Sequence, residues 1–122
     1  MRKKKLSTGD CYQVAGRFAL DRVDKINNQE FIGTPYVVHA EVSGRGNLDG
    51  IRFGHAWVED DYFIFDFSNG LSLIYPKIVY YSIGNVVQKE PKYYKYTFEQ
   101  ARDNMLKTST FGPWDLVTES GL

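Results

Sequence analysis

Two strand-like runs joined by a very short turn constrain this chain more than any other feature. Residues 51–59 and 62–68 are rich in aromatic and β-branched side chains, and only Asp60-Asp61 separates them. Connections of two residues join antiparallel neighbours, so the pattern predicts a β-hairpin. Because a hairpin fixes its register, it also fixes which side chains of the two arms face each other.

A turn centred on Asp60-Asp61 places His55 opposite Asp66. Paired residues on a hairpin keep a constant sum of residue numbers, which makes Ile64 the partner of Trp57. Directly opposed Cβ atoms lie ~4.5–5.5 Å apart on one face, so this imidazole and carboxylate are expected to form a hydrogen bond. We expect a four-residue turn to give the same pairing, whereas a loop of odd length or a bulge would break it.

The segments before this hairpin predict a leading helix and one more strand. Capping residues at 7–10 precede apolar residues at helical spacing, so a helix is expected over about 10–26, ended by Asn27-Asn28. Residues 29–35 are expected to form a loop. A strand over 36–42 and a glycine-rich turn over 43–50 then lead into the hairpin.

The C-terminal half predicts two more strands and a second helix. Residues 71–74 and 78–83, on either side of Pro76, have the composition of strands. Thr97 and Gln100 form a capping-box pattern that opens a helix to about Lys107. The layout is α+β, with an antiparallel meander that carries apolar residues on both faces, so we expect both faces to be covered by helices or by a partner.

Two His-Ala steps complicate the assignment of a base. A hairpin centred on Asn47 would pair His39 with His55 on neighbouring strands. His55 is the preferred base because the predicted hairpin places it opposite Asp66 and Gly54 leaves space beside it. His39 is then either a neighbour that supports the site or an ordinary strand residue.

Length and charge limit the classes of function. At 122 residues the chain is expected to form a single domain over 1–122, with 1–6 a solvated basic tail. Fifteen basic residues balance fifteen acidic ones, so we expect no nucleic-acid partner. The chain has neither the apolar run of a signal peptide nor a bilayer-spanning stretch, and its one cysteine cannot form an intramolecular disulfide. A cytoplasmic protein with no membrane association is expected.

The single cysteine, Cys11, falls in the first turn of the predicted leading helix. Unpaired N–H groups and partial positive charge at a helix N-terminus favour a thiolate. With His55 as base and Asp66 orienting the imidazole, the residues predict a nucleophilic triad for acyl transfer that needs no cofactor. The Cys11 N–H and one further donor would hold the oxyanion, and Tyr12 and Gln13 are candidates for that donor.

The motif around His55 resembles that of a known superfamily. The run Gly-His-Ala-Trp-Val-Glu at 54–59, followed by Phe-Asp-Phe-Ser at 65–68, resembles the transglutaminase-like branch of the papain-like cysteine enzymes, and NlpC/P60-type peptidases share the plan. The resemblance covers about residues 8–70. It implies a papain-like core, a triad of Cys11, His55 and Asp66, and peptidase, amidase, deamidase or acyl-transfer activity on a peptide, protein or other amide or acyl substrate.

The chain also departs from that pattern. Tyr12 stands where these families often carry a tryptophan after the cysteine, and Phe67-Ser68 replaces the usual Pro-Thr after the acid. Trp57 and His39 remain candidates for supporting the site or contacting substrate, whereas Glu59 is expected to be structural. A domain this small implies a shallow cleft, or one completed by a protein partner.

Two other hypotheses compete with an enzyme. A non-catalytic papain-like module could bind a protein through a tyrosine-rich surface, comprising Tyr75, Tyr80, Tyr81, Tyr93, Tyr94 and Tyr96. A zinc site could use Cys11, His39, His55 and Asp66, although these lack the close pairs of structural zinc motifs. In the simplest alternative, Cys11 is an inert buried thiol, His55 an ordinary strand residue, and Asp66 a cap for Ser68 or Asn69.

Overall fold

The computed structural model describes residues 10–24, 30–44, 50–70 and 72–117. Its helices are α1 (Cys11–Arg22), α2 (Lys77–Ile83) and α3 (Phe98–Thr108). Its strands are β1 (Tyr36–Ser43), β2 (Arg52–Glu59), β3 (Phe63–Asp66), β4 (Leu73–Pro76) and β5 (Tyr93–Thr97). The fold is α+β, as the sequence predicts.

The strands form one antiparallel sheet in the order β4-β3-β2-β1-β5. The first four strands are successive neighbours, which confirms the predicted meander. Strand β5 pairs with the other edge of β1, and the sequence analysis did not anticipate it. Its addition makes β1 a central strand, consistent with the near-complete burial of Val37 and Val38.

Helices cover both faces of the sheet. On one face, α1 and α3 pack Ala15, Ala19 and Ala101 against strand residues such as Val58. On the other face, α2 and the segment after it cover Trp57. The expectation of a sheet covered on both sides is therefore confirmed. None of the helices in the described segments is long and apolar enough to span a bilayer.

Both predicted helices at the two ends of the chain are present. Helix α1 begins at Cys11 but ends at Arg22, four residues before the predicted end, and a turn follows at 23–24. Helix α3 opens with the predicted capping box, in which Gln100 N donates to Thr97 Oγ1 and Thr97 N donates to Gln100 Oε1. The basic tail at 1–6, the caps at 7–9 and Asn27-Asn28 lie outside the described residues, as do residues 45–49 of the glycine-rich turn.

The predicted strand over 78–83 is wrong, because this segment is helix α2. Pro76 precedes the helix in an extended conformation (φ −58°, ψ 132°), and proline is tolerated at helix starts because it has no N–H to satisfy. The β-branched and aromatic residues favour a strand only weakly, and tertiary contacts can override that preference. Here the hydroxyl groups of Tyr80 and Tyr81 both bond to buried carboxylates of the sheet.

The turn of the β2–β3 hairpin lies one residue later than predicted. Asp60 N donates to Phe63 O, and the strand pairs are Glu59↔Ile64 and Val58↔Phe65. The Asp60 carboxylate fixes this turn by accepting from the N–H groups of Tyr62 and Phe63, each at 2.9 Å. The register therefore moves by two residues, and the predicted direct pairing of His55 with Asp66 and of Trp57 with Ile64 is wrong. Strand β3 is also shorter than predicted, and a 3₁₀ turn follows it at Ser68–Gly70.

The predicted pairing of the two histidines is also wrong. Strand β1 places His39 opposite Ala56 and Ala40 opposite His55. This register differs from the predicted one by a single residue, and a shift of one residue reverses the face of every side chain. His39 and His55 therefore belong to opposite faces of the sheet.

Candidate active site

A gap in the sheet positions the candidate site. The ladder between β2 and β3 stops at Val58↔Phe65, so the earlier residues of β2, including His55, have no partner in that ladder. The N-terminal end of α1 packs against β2 and the 3₁₀ turn. Cys11, which belongs to the core on the α1 face, thereby comes close to His55 at this open edge, and its thiol interacts with the imidazole.

The imidazole of His55 bonds to Asp66, as the sequence predicts, although by a different geometry. His55 Nε2 lies 2.9 Å from Asp66 Oδ2. With the observed register the two residues are diagonal neighbours and not directly opposed. A two-residue shift keeps each side chain on its face, and diagonal neighbours remain within reach of long side chains. The contact between His55 and Asp66 is therefore present even though the turn lies one residue later than predicted.

The carboxylate of Asp66 is held by donors on both of its oxygens. Oδ1 accepts from the N–H and hydroxyl of Ser68, at 3.1 Å and 2.7 Å. Oδ2 accepts from the Tyr80 hydroxyl at 2.7 Å in addition to bonding with His55. Capping of Ser68, which was a simpler alternative to the triad, thus occurs together with the contact to His55.

The charges of this pair stabilise each other. Burial favours neutral Asp66, but the hydrogen bond and charge of His55, with the bonds from Tyr80 and Ser68, lower the pKa of the Asp66 carboxyl well below its usual range. Burial likewise favours neutral His55, but the hydrogen bonds and charges of Asp66 and Cys11 raise the pKa of His55 well above its usual range. The arrangement therefore favours imidazolium beside carboxylate at neutral pH.

The thiol of Cys11 is the other group that interacts with the His55 imidazole. Nε2 of His55 faces Asp66, so Nδ1 is the ring nitrogen left for the thiol of Cys11. Cys11 is 4% exposed, and the side chain of His55 is 16% exposed. The structure thus brings together all three residues that the sequence proposed as a triad, with His55 in the middle.

The position of Cys11 at the start of α1 bears on the predicted oxyanion donor. The helix begins at Cys11, and the first N–H groups of a helix have no acceptor within it. Tyr12 packs edge-on against His39 with ring centroids 4.8 Å apart, and Gln13 lies on the exposed side of the helix. The backbone N–H of Cys11 accordingly remains the candidate for the predicted oxyanion donor.

Trp57 and Glu59 form part of a buried polar network beside the site. Trp57 is 1% exposed, and its indole N–H donates to Glu59 Oε1 at 3.0 Å. The buried Glu59 also accepts from the Tyr81 hydroxyl and from Lys77 Nζ, at 2.6 Å and 3.1 Å. Glu59 therefore has the structural position expected of it, and Trp57 supports the flank of His55 from within the core.

His39 lies in an aromatic enclosure on the α1 face. The rings of Tyr12, Tyr96 and Trp114 lie within 5.1 Å of its ring, centroid to centroid. The side chain is fully buried, and burial lowers the pKa of His39 to about 3 against the opposing effect of Asp115. A neutral imidazole between aromatic rings is a core residue, so the ordinary-strand interpretation describes His39 better than a direct role in the site.

The geometry does not favour the zinc or the tyrosine-surface hypothesis. His39 and His55 lie on opposite faces, and among the described residues no group of three or more His, Cys, Asp and Glu side chains is arranged to hold a metal ion. Of the six tyrosines, four direct their hydroxyl groups to partners within the fold, namely Tyr80, Tyr81, Tyr93 and Tyr96. Their main contribution is therefore to packing.

Sequence reasoning missed Tyr80 as a contact of the site. The segment that carries it was predicted to be a strand, and only a helix there turns this hydroxyl towards Asp66. The available signal was Pro76, which is common at the start of a helix. Comparisons with known proteins find no family model, no curated protein and no solved structure that matches this chain.

Proposed function

We propose that this protein is a cysteine-dependent acyl-transfer enzyme with Cys11 as nucleophile, His55 as general acid and base, and Asp66 as the orienting carboxylate. The observation that carries the proposal is the position of the imidazole, which is hydrogen-bonded to the carboxylate of Asp66 and interacts with the thiol of Cys11. A helix-borne cysteine beside a strand histidine, with the acid on the next strand, is also the layout of the papain-like fold that the motif resembles. We assign the domain to that fold as part of the same proposal.

The reaction begins with attack of the Cys11 thiolate on a carbonyl carbon. The oxyanion that forms is met by the N–H of Cys11 at the helix N-terminus. The imidazolium of His55 then gives its proton to the leaving group, and an acyl thioester on Cys11 remains. Neutral His55 next takes a proton from water or an amine as it attacks the thioester. The C–S bond then breaks, which releases the acyl product and restores the Cys11 thiolate beside the imidazolium.

Asp66 acts in this scheme by holding the imidazole and its charge. With Nε2 bonded to the carboxylate, Nδ1 is directed to the thiol, and imidazolium is favoured before substrate arrives. The same chemistry serves a peptidase, an amidase, a deamidase or a transglutaminase, which differ in substrate and acceptor. A reducing compartment such as the cytoplasm suits an enzyme that depends on a free thiol.

The rate of thiol alkylation tests the proposal. Iodoacetamide should modify Cys11 near neutral pH much faster in the wild-type protein than in the His55→Ala variant, by about tenfold or more. Intact-mass spectrometry measures both rates. Because Cys11 is 4% exposed, the informative quantity is the ratio of the two rates and not the absolute rate.

Two further variants complete the test. Cys11→Ser should abolish the modification, and Asp66→Asn should slow it, because the amide no longer stabilises imidazolium. Unfolding in urea before labelling should remove the difference between wild type and His55→Ala. Equal and slow labelling of these two folded proteins would show that Cys11 is an inert buried thiol.

A further inference from the structure

We infer that a cavity beside His55 binds an uncharged, apolar group of the substrate, about the size of one amino-acid side chain. The cavity has a volume of about 250 Å³. Its lining combines the ends of β1 and β2 with β4 and α2, and includes Phe53, His55, Leu73, Tyr75, Tyr80 and Ile83. The inference rests on the proposed function, because it assigns a substrate class to the same site.

Of the three proposed triad residues, the cavity is lined by His55. The space lined by Cys11, Trp57 and Asp66 on the opposite side has a volume of only about 10 Å³, which is too small for a substrate group. The cavity on the His55 side adjoins the residue that exchanges protons with the reacting atoms. A substrate whose carbonyl approaches the thiol at the open edge of β2 therefore has this space for a neighbouring group.

The side chains that line the cavity favour an uncharged, apolar substrate group. Phe53, Leu73 and Ile83 present apolar surface, and His55 is the only described residue of the lining that carries a charge at neutral pH. The Tyr80 hydroxyl is engaged with Asp66 and does not offer its proton to a ligand. An ammonium group would lose its hydration here without an anionic side chain in the lining to pair with. A carboxylate would find only the imidazolium of His55, which is already paired with Asp66.

The size of the cavity limits the occupant to one group. Whole small ligands occupy pockets of about 300–1,000 Å³, so about 250 Å³ suits a single aromatic or branched aliphatic side chain. A larger cavity of about 770 Å³ lies on the outer side of α2, lined in part by Tyr62, Pro76 and Ile78. Its lining contains no triad residue, so it is not assigned to the reaction.

A series of iodoacetamides with different N-substituents tests the inference on the wild-type protein. N-benzyl-iodoacetamide should alkylate Cys11 about tenfold faster than iodoacetamide, because its ring is buried in the cavity, and its rate should saturate with concentration. N-(2-aminoethyl)-iodoacetamide should show no such gain. A small free thiol provides the intrinsic reactivities. Equal corrected rates for all three reagents would overturn the inference, whereas the proposed function depends only on the effect of His55→Ala on the parent reagent.

A matched pair of variants on one helix locates the binding. Ile83 and Ile78 are 41% and 80% exposed, so a charge at either position should leave the fold intact, and they line the smaller and larger cavity respectively. Ile83→Glu should remove the preference for the benzyl reagent, while Ile78→Glu should keep it. Loss of the preference in Ile78→Glu alone would move the binding to the larger cavity and contradict the inference. If Ile83→Glu fails to fold, the wild-type reagent series still decides.

Discussion

Asp66 shows how one side chain serves both the fold and the site. Oδ1 bonds to Ser68 and so fixes the backbone immediately after β3. Oδ2 bonds to His55 and accepts a hydrogen bond from Tyr80, which belongs to a different element. A carboxylate with this many donors is fixed in orientation and stays ionised, and an orienting acid requires both properties.

Replacement of Tyr80 by Phe tests this arrangement. The variant loses one donor to Asp66, so the pKa of the carboxyl should rise from its lowered value. The pH below which Cys11 alkylation slows should therefore move upward relative to wild type. The free energy of unfolding at pH 7 should fall by about 1 kcal/mol, as for other buried hydrogen bonds. Tyr75→Phe is the control, since its ring lines the same cavity. An unchanged pH profile in Tyr80→Phe would exclude a role for this hydroxyl in positioning Asp66.

Helix α2 depends on the sheet more than on its own sequence. It has seven residues, none of them buried, and helices this short are unstable alone. Its Tyr81 hydroxyl and its first residue, Lys77, both bond to the carboxylate of Glu59 on β2. Glu59 is fully buried, so its charge is compensated mainly by these partners and by Trp57.

Substitutions at Glu59 should therefore act through α2. Glu59→Ala removes the acceptor for three donors and should lower the free energy of unfolding by about 2–3 kcal/mol. Glu59→Gln keeps a carbonyl oxygen that can accept from Trp57 or Tyr81, so its cost should be clearly smaller. Urea denaturation at pH 7 measures both values. Equal losses in the two variants would mean that the negative charge of Glu59 accounts for the whole effect and that a neutral acceptor oxygen contributes nothing.

The cap of α3 gives a test within a single element. Thr97→Ala removes the hydroxyl that accepts from Gln100 N and should cost about 1 kcal/mol. Thr97→Ser retains the acceptor and should cost at most a few tenths of that. Thermal unfolding of the three proteins ranks them. A serine variant as unstable as the alanine variant would show that the methyl group of Thr97, and not its hydroxyl, stabilises the helix start.

The elements differ in how well the sequence predicts them, and the reasons are local. Helix α3 was predictable because Thr97 and Gln100 define its start chemically. Helix α2 was not, because its stabilising contacts to Asp66 and Glu59 are distant in sequence. The prediction centred the turn after β2 on Asp60-Asp61, and the observed turn lies one residue later. The reason is the Asp60 side chain, which fixes the turn by accepting hydrogen bonds from backbone N–H groups within it.

At the scale of the whole molecule, the proposed triad depends on a long-range contact that no local sequence pattern encodes. The spacing of the hairpin predicted that His55 and Asp66 share one face of the sheet. This prediction is correct because a register shift of two residues leaves every side chain on its face. The approach of Cys11 depends on the early separation of β3 from β2, which opens an edge for α1. The face predicted for His39 was wrong because a register shift of one residue moves a side chain to the opposite face of the sheet.

The buried His39 links the stability of the whole fold to pH. Its folded pKa of about 3 lies below its unfolded value of 6.5, so the unfolded chain binds more protons between these values. Stability from this group is therefore present above pH 6.5 and is lost as the pH falls towards 3. The titratable side chains beside it are Tyr12 and Tyr96, whose rings contact its ring, and Asp115, and only Asp115 opposes the loss.

Replacing His39 by Leu should weaken this acid sensitivity. Between pH 6.5 and 4.5 the wild-type protein should lose about 2 kcal/mol of unfolding free energy from His39 alone, and the variant should lose that much less. Above pH 4.5 the Asp66 carboxyl stays ionised in the folded and the unfolded state. The pKa of His55 is raised in the folded state, so its contribution to stability is fully present below pH 6.5. Neither group therefore masks the difference between wild type and His39→Leu. Urea denaturation at the two pH values measures it. Parallel losses in both proteins would show that His39 is not what makes the fold sensitive to acid.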